Sequence, residues 1–142
     1  MTGAAAFTFL VVDDDDVAAE AVVRGLRKHG MDSPIVIAED GMAALQILRG
    51  QHPTRQIKKP YLVLLDLNMP RMNGIEFLRE LRSDTHLRGT VVFVLTTSGS
   101  DADRARAYQE SIAGYMVKSG LGPQLSGLAR FLTEYRASVL PS

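Results

Sequence analysis

Four consecutive aspartates, Asp13 to Asp16, follow directly on one apolar run, and a single aspartate, Asp66, follows another. A further apolar run ends in Thr96 and Thr97, and a short one ends in Lys118. Carboxylates gathered in one cleft repel each other, and their pKa values rise unless a cation joins them. Their oxygens suit a hard divalent ion. Mg2+ is the first choice and Mn2+ the second, because such ions take a few protein oxygens and keep waters. An ion of this kind would also neutralise charge on a transferred phosphoryl group. Asp66 is then a reasonable nucleophile, since carboxylates form acyl phosphates. Lys118 offers a compact positive charge for phosphoryl oxygens, and the Thr96 hydroxyl offers a hydrogen bond to them. Asp13 and Asp14 are the companions expected for Asp66 at the metal, which leaves Asp15 or Asp16 to cap the next helix. Alone, the acidic run would be a solvated helix start, where negative charge is favoured, and Lys118 would be an ordinary exposed lysine. The four run ends taken together favour a site.

These residues need a scaffold that brings distant run ends to one place. Phe7-Thr8-Phe9-Leu10-Val11-Val12 is a short β-prone apolar run, as are residues 35–38, 61–65, 90–95 and 114–117. Between them lie segments with helical spacing. Residues 17–29 carry Ala18, Val22 and Leu26 on one face and stop at Gly30. Asp40 can cap a helix holding Ala44, Leu45 and Leu48 that ends at Gly50. Residues 74–81 place Ile75, Leu78 and Phe77 inward. Ser100 and Asp103 resemble a capping box for a weakly amphipathic helix over 101–112, with Ala105, Tyr108 and Ile112 on one side. A last helix carries Leu121, Leu125, Leu128, Leu132, Tyr135 and Val139. Residues 51–60, basic and with two prolines, form a surface loop. Five alternations of strand and helix predict an α/β layer structure, a parallel sheet with helices on both faces. Ligands in such sheets bind outside the carboxyl ends of the strands, where every candidate above is found.

Composition is consistent with this. In 142 residues, 46% hydrophobic and 23% charged, one domain of ordinary size is expected, over residues 7–137 with tails 1–6 and 138–142 and no output domain. The absence of cysteine excludes thiol catalysis, thiolate metal sites and disulfides. Sixteen basic and sixteen acidic residues cancel, so no global field favours nucleic acid or an anionic membrane. Neither a signal peptide nor a membrane-spanning run is expected from these residues, and a cytoplasmic protein is expected. His29, His52 and His86 lack metal spacing and read as surface residues, and Arg104 and Arg106 as a solvated helix face.

The segments FLVVDDDD, LLDLNMPRMNG, VVFVLTTS and GYMVKS, in this order and spacing, resemble the receiver domains of bacterial two-component response regulators. The likeness runs from Phe7 to about Tyr135. It implies a flavodoxin-like, doubly wound (βα)5 fold with strand order 2-1-3-4-5. It implies that Asp66 accepts a phosphoryl group from a histidine kinase. Asp14 and Asp66 would ligate Mg2+ directly, Asp13 through water, and the main-chain carbonyl of Asn68 would add a ligand. Thr96 and Tyr115 match the switch pair, although Tyr115 could equally be a strand residue packed on helix four. Met69-Pro70 and Gly74 would shape the loop after Asp66, and Thr97 matches a small-residue position that admits the phosphoryl group. Receivers of this kind meet kinases through helix one, where Ala18, Ala19 and Val22 lie, and through the loop after strand five.

One departure stands beside the site. The family has Lys-Pro after strand five with a cis bond, whereas Lys118 precedes Ser119, for which the trans form is expected. This dipeptide, the long 51–60 loop and the extended last helix resemble single-domain regulators that partner phytochrome kinases. A bacteriophytochrome is therefore the partner the resemblance suggests. A homodimer through helix four, strand five and helix five would cover apolar surface there. The expected role is a phosphorylation-controlled signalling module, not a metabolic enzyme, with phosphate sink or phosphorelay intermediate as alternatives. A hydrolase using an aspartyl phosphate ranks lower, because the position two after the nucleophile, where a general-acid aspartate is needed, is Asn68. A pseudo-receiver ranks lower too, because Asp13, Asp14, Asp66, Thr96 and Lys118 are all present.

Overall fold

Central strands buried on both faces are nearly continuous apolar runs, and three runs here have that character. The computed structural model describes residues 7–69, 72–97, 100–118 and 127–130. Its strands are β1 (Thr8–Val12), β2 (Ile35–Ala38), β3 (Tyr61–Leu65), β4 (Val92–Thr96) and β5 (Gly114–Val117). They form one parallel sheet in the order β2-β1-β3-β4-β5. Its helices are α1 (Asp16–Lys28), α2 (Gly41–Leu48), α3 (Gly74–Ser83) and α4 (Asp101–Gln109), and residues 127–130 are also helical.

Period-two alternation divides the core. Leu10, Val12, Val63, Leu65, Val92 and Val94 face one layer, where α2, α3 and Ala107 of α4 cover them. Phe9, Val11, Leu62, Leu64, Phe93 and Leu95 face the other, under α1 and Leu128 and Ala129. Because the chain leaves β1 for β2 on one side and later returns to β3 on the other, a crevice opens between the carboxyl ends of β1 and β3. Ladder bonds continue into it. The Asp13 N–H donates to the Ala38 carbonyl at 3.0 Å, and the Asp66 N–H to the Val12 carbonyl at 2.9 Å. Both aspartates are thus held by the rigid sheet rather than by a loose loop.

Several expectations are corrected. On α1 the buried residues are Ala19, Val22 and Leu26, with Ala18 only partly covered. On α3 they include Phe77, Leu78 and Leu81, and Ile75 packs only at the edge. The strand expected over 90–95 is Val92–Thr96, so Thr96 belongs to the strand itself. Helix α4 ends at Gln109 and buries Ala107, while Ala105 and Tyr108 are exposed. The 51–60 loop is better anchored than its polarity suggests. Arg55 donates to the Ile37 carbonyl at 2.6 Å and to Glu39 at 2.9 Å. His52 Nδ1 accepts the N–H groups of Thr54 and Arg55, and Ile57 packs against the core. Pro70, Ser119, Leu121, Leu125, Leu132, Tyr135, Val139 and both expected tails lie outside the described residues.

Candidate functional site

Asp13 leaves the end of β1 and turns into α1. Its Oδ1 accepts the N–H of Asp15 at 3.0 Å. Asp15 is the helix N-cap, accepting from Val17 and Ala18, which leaves Asp13 and Asp14 for the cleft. Asp66 follows β3 in the same way, its Oδ1 accepting the Asn68 N–H at 3.1 Å. One oxygen from each of Asp13, Asp14 and Asp66 falls within 4.8 Å of the others. Asp13 and Asp66 are buried and Asp14 is exposed, so the cluster opens to solvent on one side.

Lys118, just after β5, reaches across the sheet edge. Its Nζ lies 2.6 Å from Asp13 Oδ2 and 3.6 Å from Asp66 Oδ2. Asp66 is nevertheless held above the usual carboxylate range. Burial is the main cause, and the Asp13 charge adds to it. The Asn68 N–H, the Lys118 charge and the Thr96 hydroxyl act in the opposite direction and do not fully offset it. Like charges about 4 Å apart repel by about 4 kcal/mol at an effective dielectric constant near 20. One lysine shared between two aspartates does not neutralise three carboxylates. A cluster of hard, negative oxygens with one open side fits a divalent cation.

Thr96, at the end of β4, is fully buried, and its hydroxyl acts to lower the Asp66 pKa. Its Oγ1 also accepts from Asn68 Nδ2 at 3.1 Å, and Thr97 Oγ1 accepts from the same amide at 3.5 Å. The sequence suggested only a backbone role for Asn68, yet its side chain ties the β3 end to the β4 end. Tyr115 lies on β5 with Val94 as its register partner. It is partly buried against the α3/α4 layer. The structure thus brings together Asp13, Asp14, Asp66, Asn68, Thr96 and Lys118, and it places Tyr115 on the adjoining strand.

Two supporting features escaped the sequence reading. Asn73 and Glu76 form a reciprocal capping box that starts α3. The N-cap residue followed three positions later by Glu is a signal that could have found it. Arg104, expected on a solvated face, has its guanidinium carbon 5.6 Å from the centroid of the Tyr115 ring. No local pattern announces that contact. Gly74 is required by close approach. A Cβ there would lie 2.6 Å from Leu67 Cα and 2.9 Å from the Asp66 carbonyl oxygen, so α3 can begin directly behind the Asp66 segment.

The family model for the response regulator receiver domain matches residues 9–128. The probable methanogenesis regulatory protein FilR2 of Methanothrix harundinacea is 38% identical over 129 residues, 91% of this chain and 83% of the relative. The response regulator Rcp1 of Synechocystis sp. is 34% identical over 110 residues, 78% of this chain and 75% of Rcp1. The crystal structure of the Mn2+-bound form of Rcp1 matches with a TM-score of 0.81 at 30% identity, covering 96% of this chain and 99% of that one. The structure of the phosphorylated cyanobacterial phytochrome response regulator RcpA matches with a TM-score of 0.75 at 27% identity, covering 96% and 97%. Since the matched residues run from β1 past β5 and take in the whole sheet with its acidic edge, the chain belongs to the response regulator receiver family.

Proposed function

We propose that Asp66 accepts a phosphoryl group from the phosphohistidine of a kinase, and that Asp13, Asp14 and Lys118 make this possible. The observation that carries the reading is the buried Asp66 carboxylate, fixed through Asn68 and flanked by Asp13 and Lys118. An Asp66 oxygen attacks phosphorus, the donor's N–P bond breaks, and its electron pair stays on the imidazole nitrogen. Lys118 Nζ stands close enough to Asp66 to meet the phosphoryl oxygens with positive charge. The Thr96 hydroxyl redirects its hydrogen bond to the same group, and Tyr115 responds as its switch partner. Asp13, Asp14, Asp66 and the Asn68 main-chain carbonyl are the residues that would hold Mg2+, with Mn2+ as substitute. When bound, the ion supplies the neutralising charge for carboxylates and phosphoryl oxygens.

The partner we infer is a histidine kinase of the phytochrome type, supported by the likeness to RcpA. On α1 the large apolar residue open to it is Val17, which is 75% exposed, whereas Ala19 and Val22 are buried in the core. We assign the α4–β5 face, with exposed Tyr108, to a homodimer contact. A shallow hollow of about 310 Å3 lies there, lined by Phe93, Tyr108, Tyr115 and Leu128 among others. Incubation with an autophosphorylated phytochrome-type kinase tests the reading. Label should pass to the chain and not to a D66N variant; equal labelling of both would refute it.

A further inference from the structure

Helix α4 is held unusually lightly. Its sequence, DADRARAYQ, buries Ala107 as its one buried residue. Its carboxyl end is fixed by other means. Arg82 of α3 donates to the carbonyls of Glu110 at 2.7 Å and Ser111 at 3.1 Å, just beyond the helix. Ile112, the next residue, is buried. In the amino-terminal half Asp101, Ala102, Arg104 and Ala105 are exposed, and Asp103 is partly buried. Arg104 links that half to the sheet: its guanidinium lies over the ring of Tyr115 at 5.6 Å from the centroid. This is within the distance at which a cation is attracted to an aromatic face.

We propose that Arg104 and Tyr115 form a latch between α4 and β5 that favours the conformer in which Asp66 is a free carboxylate, so that Arg104 opposes switching. The inference rests on the reading of Asp66 as phosphoacceptor and Tyr115 as switch residue. A contact made in one conformer and lost in another biases the equilibrium by its own worth. When the Tyr115 ring turns, the guanidinium loses its aromatic face, and α4 is then free to pivot about the end held by Arg82. Arg104 is thus a positioning residue: it touches no reacting group and acts through the ring.

A double-mutant cycle on the full chain tests this. R104M keeps the aliphatic length and removes the charge, R104K keeps the charge, and Y115A removes the ring. The first readout is amide hydrogen exchange of residues 101–109, which needs neither metal nor phosphate. R104M should speed exchange by about two- to fivefold, the size of one exposed cation–π contact. R104K should stay near the native rate, and R104M should add nothing in the Y115A background. An equal effect of R104M with and without the ring would overturn the latch. The second readout is binding of beryllofluoride in the presence of Mg2+. R104M should bind it about two- to fivefold more tightly, and unchanged or weaker binding would overturn the claim that the latch opposes switching. If the native chain binds no beryllofluoride, the phosphoacceptor reading fails and with it the opposition to switching, while the exchange cycle still decides whether the contact exists.

Discussion

Lys118 Nζ and Asp13 Oδ2 are 2.6 Å apart, joining the ends of β5 and β1 across the two strands that lie between them. The lysine is the counter-ion of these carboxylates, and on the proposed reading it would turn to the phosphoryl oxygens once Asp66 carries that group. A divalent cation would compete with it for Asp13.

That competition gives a first prediction. K118M should bind Mn2+ or Mg2+ more tightly than the native chain, on the order of tenfold, or ~1.4 kcal/mol, because a positive neighbour is removed from the ligand set. It should also lose phosphoryl acceptance, because its positive charge on the oxygens is gone. Metal titration followed by calorimetry checks the first part, and unchanged or weaker binding would contradict it.

A second prediction concerns Gly74. An alanine Cβ would press on Leu67 Cα and on the Asp66 carbonyl, both backbone atoms that cannot turn aside. G74A should cost about 1–3 kcal/mol, as overpacking does, and it should slow phosphorylation by displacing the Asp66 segment. Denaturant unfolding of the two proteins measures the first effect. A variant with native stability and native phosphorylation rate would show that the approach is looser than described.

Much of this was legible in the sequence. Continuous apolar runs mark β1, β3 and β4 because both faces of the sheet are covered. Asp15, Asp40 and Ser100 mark helix starts because their side chains cap. The acidic cluster was readable for the same reason, since Asp13 and Asp66 each end an apolar run and Asp14 follows Asp13 directly. The covered face of α4 was not. With Ala107 alone to bury, periodicity in DADRARAYQ is too weak to distinguish it from Ala105 or Tyr108. Arg82, Arg104 and the Asn68 amide were illegible on other grounds. Their partners are backbone carbonyls, an aromatic ring and a hydroxyl from distant segments, and only the tertiary fold brings these together.

Arg82 provides a third prediction. Beyond the Glu110 and Ser111 carbonyls, it donates to those of Arg88 at 2.9 Å and Thr90 at 2.7 Å. One half-buried guanidinium thus ties the α3–β4 turn to the α4–β5 turn. R82A should destabilise the fold by about 2–3 kcal/mol, the scale of hydrogen bonds to a charged group. R82K should recover little, because an ammonium cannot reproduce the planar fork. Equilibrium unfolding compares the three proteins, and a fully stable R82K would show that charge alone suffices.

The most direct test of Asp66 uses a small phosphodonor and no kinase. The chain is incubated with acetyl phosphate and Mg2+, and its intact mass is recorded beside that of D66N. The native chain should gain one phosphoryl group, D66N should gain none, and the native gain should be lost when the metal is chelated. No added mass on the native chain, or the same gain on D66N, would contradict Asp66 as phosphoacceptor.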